Sequence, residues 1–229
     1  MQAVIIAAGE GTRMRPLTLT IPKPLVKIAG KALLDYIFEA LPEEITEAVM
    51  VVRYLGEQIK QYCGTTFHGR SIVYADGSPL GSAYSFLAAE PFIHDDRFLF
   101  INGDEFPSRV DIAACLQYPA SVLCWTVDDP WNHGVPMLRE DGTIAEIVEK
   151  PEHPAGNLIS NGVLVLTRDI FSYQPKQKPN GEFFFTSMVD QFVHDHPTMA
   201  VQSAQAIGGL STMEDIVRLE QRLKNIPLA

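Results

Sequence analysis

Near the start of the chain a short apolar run ends in two glycines and two arginines: Ala3-Val4-Ile5-Ile6-Ala7-Ala8-Gly9-Glu10-Gly11-Thr12-Arg13-Met14-Arg15. Glycine lets the backbone approach a ligand and turn several N–H groups toward it, which suits phosphate oxygens. Arginine presents a flat fork that suits the same oxygens. A further cation follows in Pro22-Lys23-Pro24. Five of the 18 lysines and arginines fall within residues 11–34, a window without an acid, while all 28 acids lie outside it. Local positive charge on a chain of net charge −10 implies a small, highly charged anionic ligand. The broad basic surface of a nucleic-acid binder is absent from the pattern.

The elements that must position these residues alternate. Strands are predicted at 3–8, 48–52, 72–75 and 98–101, with helices at 32–41, 57–62 and 83–89 between them. Short apolar strands spaced by helices predict a doubly wound α/β fold, Rossmann-like and mostly parallel, with its ligand at the carboxyl ends of the strands. In the second half, strands at 121–127, 143–148 and 159–166 are separated by turns such as Glu140-Asp141-Gly142. They predict a small antiparallel extension over the mouth of the sheet. Helices at 184–194 and 215–223 close the chain, and one domain spanning 1–229 is expected.

Composition narrows the class. With 46% hydrophobic and 20% charged residues the chain reads as an ordinary globular protein. No apolar stretch reaches the ~18 residues of a membrane span. The three cysteines, Cys63, Cys115 and Cys124, show neither zinc spacing nor a disulfide framework. A cytoplasmic protein with reduced thiols is the expectation. The six histidines have no ligand spacing, and Asp128-Asp129-Pro130 reads as a solvated loop.

Neither a Walker A loop nor a third glycine at the position of Met14 is present. The longer combination Gly9-x-Gly11-Thr12-Arg13-x-x-Pro16-Leu17-Thr18, followed by Pro22-Lys23-Pro24-Leu25, resembles the sugar-1-phosphate nucleotidylyltransferases. Pro79-Leu80-Gly81-Ser82-Ala83, Asn102-Gly103-Asp104, His133-Gly134-Val135, Glu149-Lys150-Pro151, Asn161-Gly162-Val163 and Gly181–Thr186 resemble later family segments, in order. The resemblance implies a nucleotide-diphospho-sugar transferase fold and an enzyme that joins a nucleoside triphosphate to a sugar 1-phosphate, releasing pyrophosphate. It implies no nucleic-acid or membrane partner and leaves oligomeric state open.

By resemblance, Ala8, Gly9, Gly11 and Thr12 cradle the triphosphate, and Gly81 and Ser82 lie beside the base. Arg13, Lys23 and Asp104 form the catalytic set, with Asp104 holding Mg2+, a hard ion suited to carboxylate, water and phosphate oxygens. Gly134, Glu149, Lys150, Ser160 and Asn161 would bind the sugar phosphate. Arg15 reads as solvated.

Three departures bear on substrate and rate. Asp76 stands five residues before Gly81, where many relatives carry glutamine, and a carboxylate suits the donor edge of guanine. It equally suits a turn with Gly77. Asn161 adjoins Gly162, one residue nearer than the family asparagine, and a one-residue shift on a strand changes the face. A second metal-binding aspartate, expected near the last helix, is replaced at Gly209 or Ser211; Ser211 and Glu214 read instead as a capping box. Of these, Asp76 favours a mannose-1-phosphate guanylyltransferase, since guanylyltransferases of the family resemble this chain in having an acid there. The alternatives are a glucose-1-phosphate thymidylyl- or uridylyltransferase, a phosphocholine cytidylyltransferase, or a nucleotide-sugar-binding regulatory subunit with weakened catalysis.

Overall fold

The computed structural model describes residues 1–203 and 208–225. Strand β1 (Gln2–Ala7) leads through two-residue strands β2 (Lys27–Ile28) and β3 (Lys31–Ala32) into helix α1 (Leu33–Ala40). Then come β4 (Glu47–Val52), α2 (Gly56–Cys63), β5 (Thr66–Phe67), β6 (Arg70–Asp76), α3 (Ser82–Leu87) and β7 (Arg97–Asn102). The second half contains α4 (Arg109–Cys115), β8 (Ser121–Thr126), β9 (Gly134–Leu138), β10 (Ile144–Glu149) and β11 (Leu158–Thr167). Helix α5 (Thr186–Asp195), β12 (Met199–Gln202) and α6 (Met213–Asn225) follow.

One sheet runs in the order β12-β8-β11-β7-β1-β4-β6-β5, and β6, β4, β1 and β7 are mutually parallel. Alternate residues of β1 explain the double winding. Ala3, Ile5 and Ala7 enter a core shared with α1, α2, α4 and α6, whereas Val4 and Ala8 enter another shared with α3 and α5. A strand buried on both faces cannot alternate apolar with polar, so its sequence is a continuous apolar run.

The extension expected from the second half is smaller than its strand count suggested. β8 and β11 continue the main sheet, with β11 antiparallel to both β7 and β8. The reason lies in Val163-Leu164-Val165-Leu166, where successive residues are all buried. Such a strand needs cover on both faces. Only β10, paired antiparallel with β9, forms the separate extension. Pro136 lies inside β9, and strand patterning fails there. All three cysteines are free and buried, and burial pushes the Cys63 and Cys115 thiols up to about 12. Among the described residues, no helix is long and apolar enough to cross a membrane.

The start of α6 differs by one residue from the expected capping box. Asp215, rather than Glu214, turns back: its Oδ2 accepts from Ser211 N and Thr212 N, both at 2.7 Å, and its Oδ1 meets Arg218 at 2.8 Å. Since α6 begins at Met213, Thr212 and Asp215 hold the spacing that Ser211 and Glu214 were expected to fill. Burial raises the Asp215 carboxyl, but the two N–H donors and Arg218 outweigh it and leave it below the usual carboxylate range. A depressed folded value means this contribution is complete above the unfolded value and disappears as pH falls through the folded one. Asp215→Asn is therefore expected to cost about 1 kcal/mol near neutrality, read as a lower urea midpoint, with the gap from wild type closing on acidification. A gap independent of pH would refute the charge-assisted cap.

Candidate active site

Of the cavities at the carboxyl ends of the strands, two meet beside β7. The first, of about 610 Å³, is lined at the end of β1 by Ile6, Ala7 and Ala8, and at the end of β7 by Asn102, Gly103 and Asp104. β1 pairs with β4 on one side and β7 on the other. The chain therefore reverses its direction of winding at β1, and the loops diverge there to leave a crevice. The second cavity, of about 240 Å³, lies among β7, β9, β10 and β11, and Asn102 lines both.

The glycine loop closes one wall of the larger cavity. Thr18, fully buried, donates from Oγ1 to Gly11 O at 2.7 Å, and Met14 N bonds to the same carbonyl at 2.9 Å. That holds Thr12–Met14 in a single turn with Thr12 and Arg13 on the cavity lining. Arg13 Nη2 reaches Ser211 Oγ at 3.3 Å, tying the loop to the segment before α6. Opposite, Leu25 N bonds to Pro22 O at 2.8 Å and Val26 N to Lys23 O at 3.1 Å. Prolines on both sides of Lys23 restrict the backbone, and this turn presents the ammonium to Asp104: Nζ to Oδ2 is 2.6 Å.

Gly81 closes the cavity beneath the loop after β6. Its φ of +127° excludes most side chains, and a Cβ there would strike Phe183 O. Phe183 N bonds to Leu80 O at 2.9 Å, Ala83 N to Phe183 O at 3.1 Å, and Phe185 N to Ser82 Oγ at 3.0 Å. The loop thus leans on the segment before α5.

The structure brings Ala8, Gly9, Gly11, Thr12, Arg13, Lys23, Gly81, Ser82 and Asp104 around the first cavity. Gly134, Glu149, Ser160 and Asn161 line the second. Strict alternation would send Ser160 and Asn161 to opposite faces. The register of β11 against β8 is irregular between Ser160 and Leu164, and both residues border the cavity. Ser160 Oγ donates to Gly134 O at 3.1 Å, while Lys178 Nζ stands 3.3 Å from Glu149 Oε1.

Two expected residues lie elsewhere. Asp76 is a correction: its side chain is 93% exposed, 3.8 Å from Lys60, in a separate cleft. The chain turns at the next residue, where Gly77 N bonds to Val52 O at 2.8 Å, and Ser78, Pro79 and Gly81 line the cavity instead. Lys150 is exposed at the end of β10, with a left-handed φ of 49° and its N–H on His133 O at 2.9 Å. It lines neither of the two cavities. Burial, and then the nearby Lys150 and Arg13, lower His133, against the opposing pull of Asp129 and Glu149.

Charge in the larger cavity is more balanced than the window at 11–34 implied. Lys31 pairs with Glu39 at 2.6 Å on the surface, and Arg15 pairs with Glu10 at 3.2 Å. Arg13, Lys23 and Arg53 line the cavity together with Glu10, Asp104 and Glu182. The cations concentrate at Lys23 and Arg13 rather than along the whole window.

Arg53 and Glu105 went unmarked in the sequence, and Asn102, though part of a motif, carried no assigned role. Arg53 enters from the end of β4 and pairs with Glu10 at 3.3 Å. Glu105 lines the smaller cavity, where its Oε2 accepts from Asn161 Nδ2 at 2.9 Å and its Oε1 from Gly162 N at 3.1 Å. Burial, with Asp104 beside it, pushes this carboxyl up to about 7, against the lowering by those two donors and Lys23. Its position at the end of a central parallel strand was the available signal.

The sequence profile of the nucleotidyl transferase family matches residues 2–216. Among curated relatives, the bifunctional protein GlmU of Methanocaldococcus jannaschii is 33% identical over 204 residues, 88% of this chain and 49% of that protein. The chain spans about half the length of the first curated relatives it matches. AglF of Haloferax volcanii, named a UTP–glucose-1-phosphate uridylyltransferase, is 32% identical across 98% of this chain and 97% of its own length. A glucose-1-phosphate thymidylyltransferase of Streptomyces antibioticus is 32% identical over 84% of this chain and 57% of its own. A crystal structure of UDP-glucose pyrophosphorylase with UDP-glucose superposes with a TM-score of 0.83 at 22% identity, covering 98% of both chains, a likeness of fold. With the glycine–arginine loop, Lys23 and Asp104 on one crevice and 215 residues matched by one profile, the chain belongs to the nucleotidyl transferase family.

Proposed function

We propose that this chain transfers a nucleoside monophosphate from a nucleoside triphosphate to a sugar 1-phosphate, forming a nucleotide sugar and pyrophosphate. The observation that carries this reading is the meeting of two cavities at Asn102, one residue pair from the Lys23–Asp104 contact. The larger suits a triphosphate with its nucleoside, and the smaller suits one hexose ring. An ionised phosphate oxygen of the sugar 1-phosphate attacks the α-phosphorus. The bond from that phosphorus to the oxygen bridging it to the β-phosphate breaks, and pyrophosphate leaves with the bond electrons.

The attacking oxygen needs no deprotonation at neutral pH, so the residues must position two polyanions and neutralise developing charge. Arg13 and the Gly9–Thr12 loop would hold the β- and γ-phosphates, Lys23 the α-phosphate, and Lys150, just after β10, the sugar phosphate. Asp104 fits Mg2+: its side chain is 37% exposed toward the cavity, and this ion commonly takes one or two carboxylates with waters and substrate phosphates. When bound, Mg2+ would draw charge from the α-phosphate and the departing pyrophosphate.

For the substrates we infer glucose 1-phosphate with UTP or dTTP. The names of the relatives support this pairing, and Asp76, the residue that favoured guanine, points into another cleft. The test measures pyrophosphate release with Mg2+ across the common nucleoside triphosphates, against glucose, mannose and glucosamine 1-phosphates and phosphocholine. Turnover is expected with a uridine or thymidine triphosphate and glucose 1-phosphate. Preference for GTP with mannose 1-phosphate would overturn the substrate assignment. Tight nucleotide-sugar binding without release from any pair would mark a binding subunit instead.

A further inference from the structure

Glu105 has no role in the reading above, yet it lines the smaller cavity one residue beyond Asp104. Gly162 N and Asn161 Nδ2 hold its two oxygens at 3.1 and 2.9 Å. The carboxylate also fixes the asparagine amide: with Nδ2 on Glu105, Oδ1 faces the other way. Asn161 is 7% exposed, and that Oδ1 is buried without a hydrogen-bond partner in the protein. Ser160 has committed its proton to Gly134 O, which leaves its oxygen as an acceptor. Phe100, Ile147, Leu164 and Val189 supply apolar walls around these groups. Glu105 and Ser160 therefore offer acceptor oxygens to a cavity of single-ring size, and the Glu105 carboxyl has lone pairs beyond the two already used.

Such a wall recognises donors. A buried acceptor left unpaired is costly, and sites built around hydrogen bonds reject analogues that lack the matching group far better than apolar pockets reject an extra methylene. We infer that Glu105, held by Asn161 and Gly162, selects the sugar by accepting from a ring hydroxyl or amino substituent. This rests on the sugar-1-phosphate reading of the smaller cavity. The Gly162 N–H and the Asn161 amide fix the direction of the carboxyl's remaining lone pairs.

The experiment compares glucose 1-phosphate, or the hexose 1-phosphate preferred in the panel above, with its single-position deoxy derivatives. Wild type is expected to lose at least tenfold in kcat/KM at one ring position. In Glu105→Gln that discrimination falls to within about threefold, with KM for the sugar phosphate raised about tenfold and KM for the triphosphate within twofold. Asn161→Ala softens the same discrimination without removing the carboxylate, and it serves if the first variant does not fold. A merely structural role would lower rates on every sugar alike. Undiminished discrimination in the variants, or no position that matters in wild type, overturns the inference while the transfer activity stands. Should wild type form no nucleotide sugar, calorimetry of glucose 1-phosphate and its deoxy derivatives on triphosphate-loaded wild type and Glu105→Gln gives the same comparison by affinity.

Discussion

Replacing Lys23 with alanine is expected to cut kcat about 10²- to 10³-fold while leaving a folded protein, a loss typical of removing one preorganised charge-stabilising donor. The Lys23 side chain is 11% exposed and its ammonium stands 2.6 Å from Asp104 Oδ2 on the wall of the larger cavity. Water therefore cannot easily replace it, and a cation in such a site acts with less screening than on the surface. The turn that holds it, Pro22-Lys23-Pro24, is set by proline backbones and survives loss of the side chain. Asp104 is 37% exposed and can recover hydration, so the stability cost is expected to stay near 1 kcal/mol. Lys23→Arg keeps the charge but not the compact point donor and should recover only part of the rate. Single-turnover rates at saturating substrates check this. A wild-type rate in Lys23→Ala would remove Lys23 from the transfer centre.

Much of the fold was legible because burial on both faces writes itself into sequence. β1, β4 and β7 are continuous apolar runs, and the glycine loop after β1 marks where a ligand can approach. The placement of β8 and β11 was less legible, since strand order depends on which partners cover Leu164 and Val165, not on local pattern. Helix α4 was missed because Arg109–Cys115 is only seven residues and follows Pro107.

In the site, residues fixed by backbone demands were readable and those fixed by side-chain direction were not. Gly81 is required by the approach of Phe183, and a glycine beside a motif can be seen in one sequence. Asp76 shows the converse. Its type suited a base edge, but the turn at Gly77 carries the following loop into the cavity and leaves Asp76 beside Lys60. Glu105 was overlooked for a related reason. Two acids in succession after a strand look like a turn, and only the fold shows one beside Lys23 and the other against Asn161.

Restoring an aspartate at position 209 is expected to harm this protein, although the resemblance alone would suggest repair of a metal site. A Cβ on Gly209 would lie 2.7 Å from Asp104 O and 3.1 Å from Glu105 Oε2. The first neighbour is backbone and cannot rotate away. Its segment is also held, with Leu210 N on Asp104 O at 2.7 Å and Arg218 Nη2 on Gly209 O at 2.9 Å. Overpacking of this kind costs about 1–3 kcal/mol. The new carboxylate would also stand beside Asp104 and Glu105, and like charges so close disfavour ionisation of all three. Gly209→Asp is thus expected to lower the urea midpoint and to reduce kcat/KM at least tenfold by displacing Asp104. Gly209→Ala isolates the steric part. Adding Glu105→Gln to Gly209→Asp removes one repelling charge and should recover stability, making the pair non-additive. If Gly209→Asp instead raised turnover and lowered the Mg2+ concentration needed for half-maximal rate, the space at 209 would be that of a lost metal ligand. The present geometry predicts the opposite, because the carboxylate of Glu105 already occupies the side of Asp104 that a residue 209 side chain would have to enter.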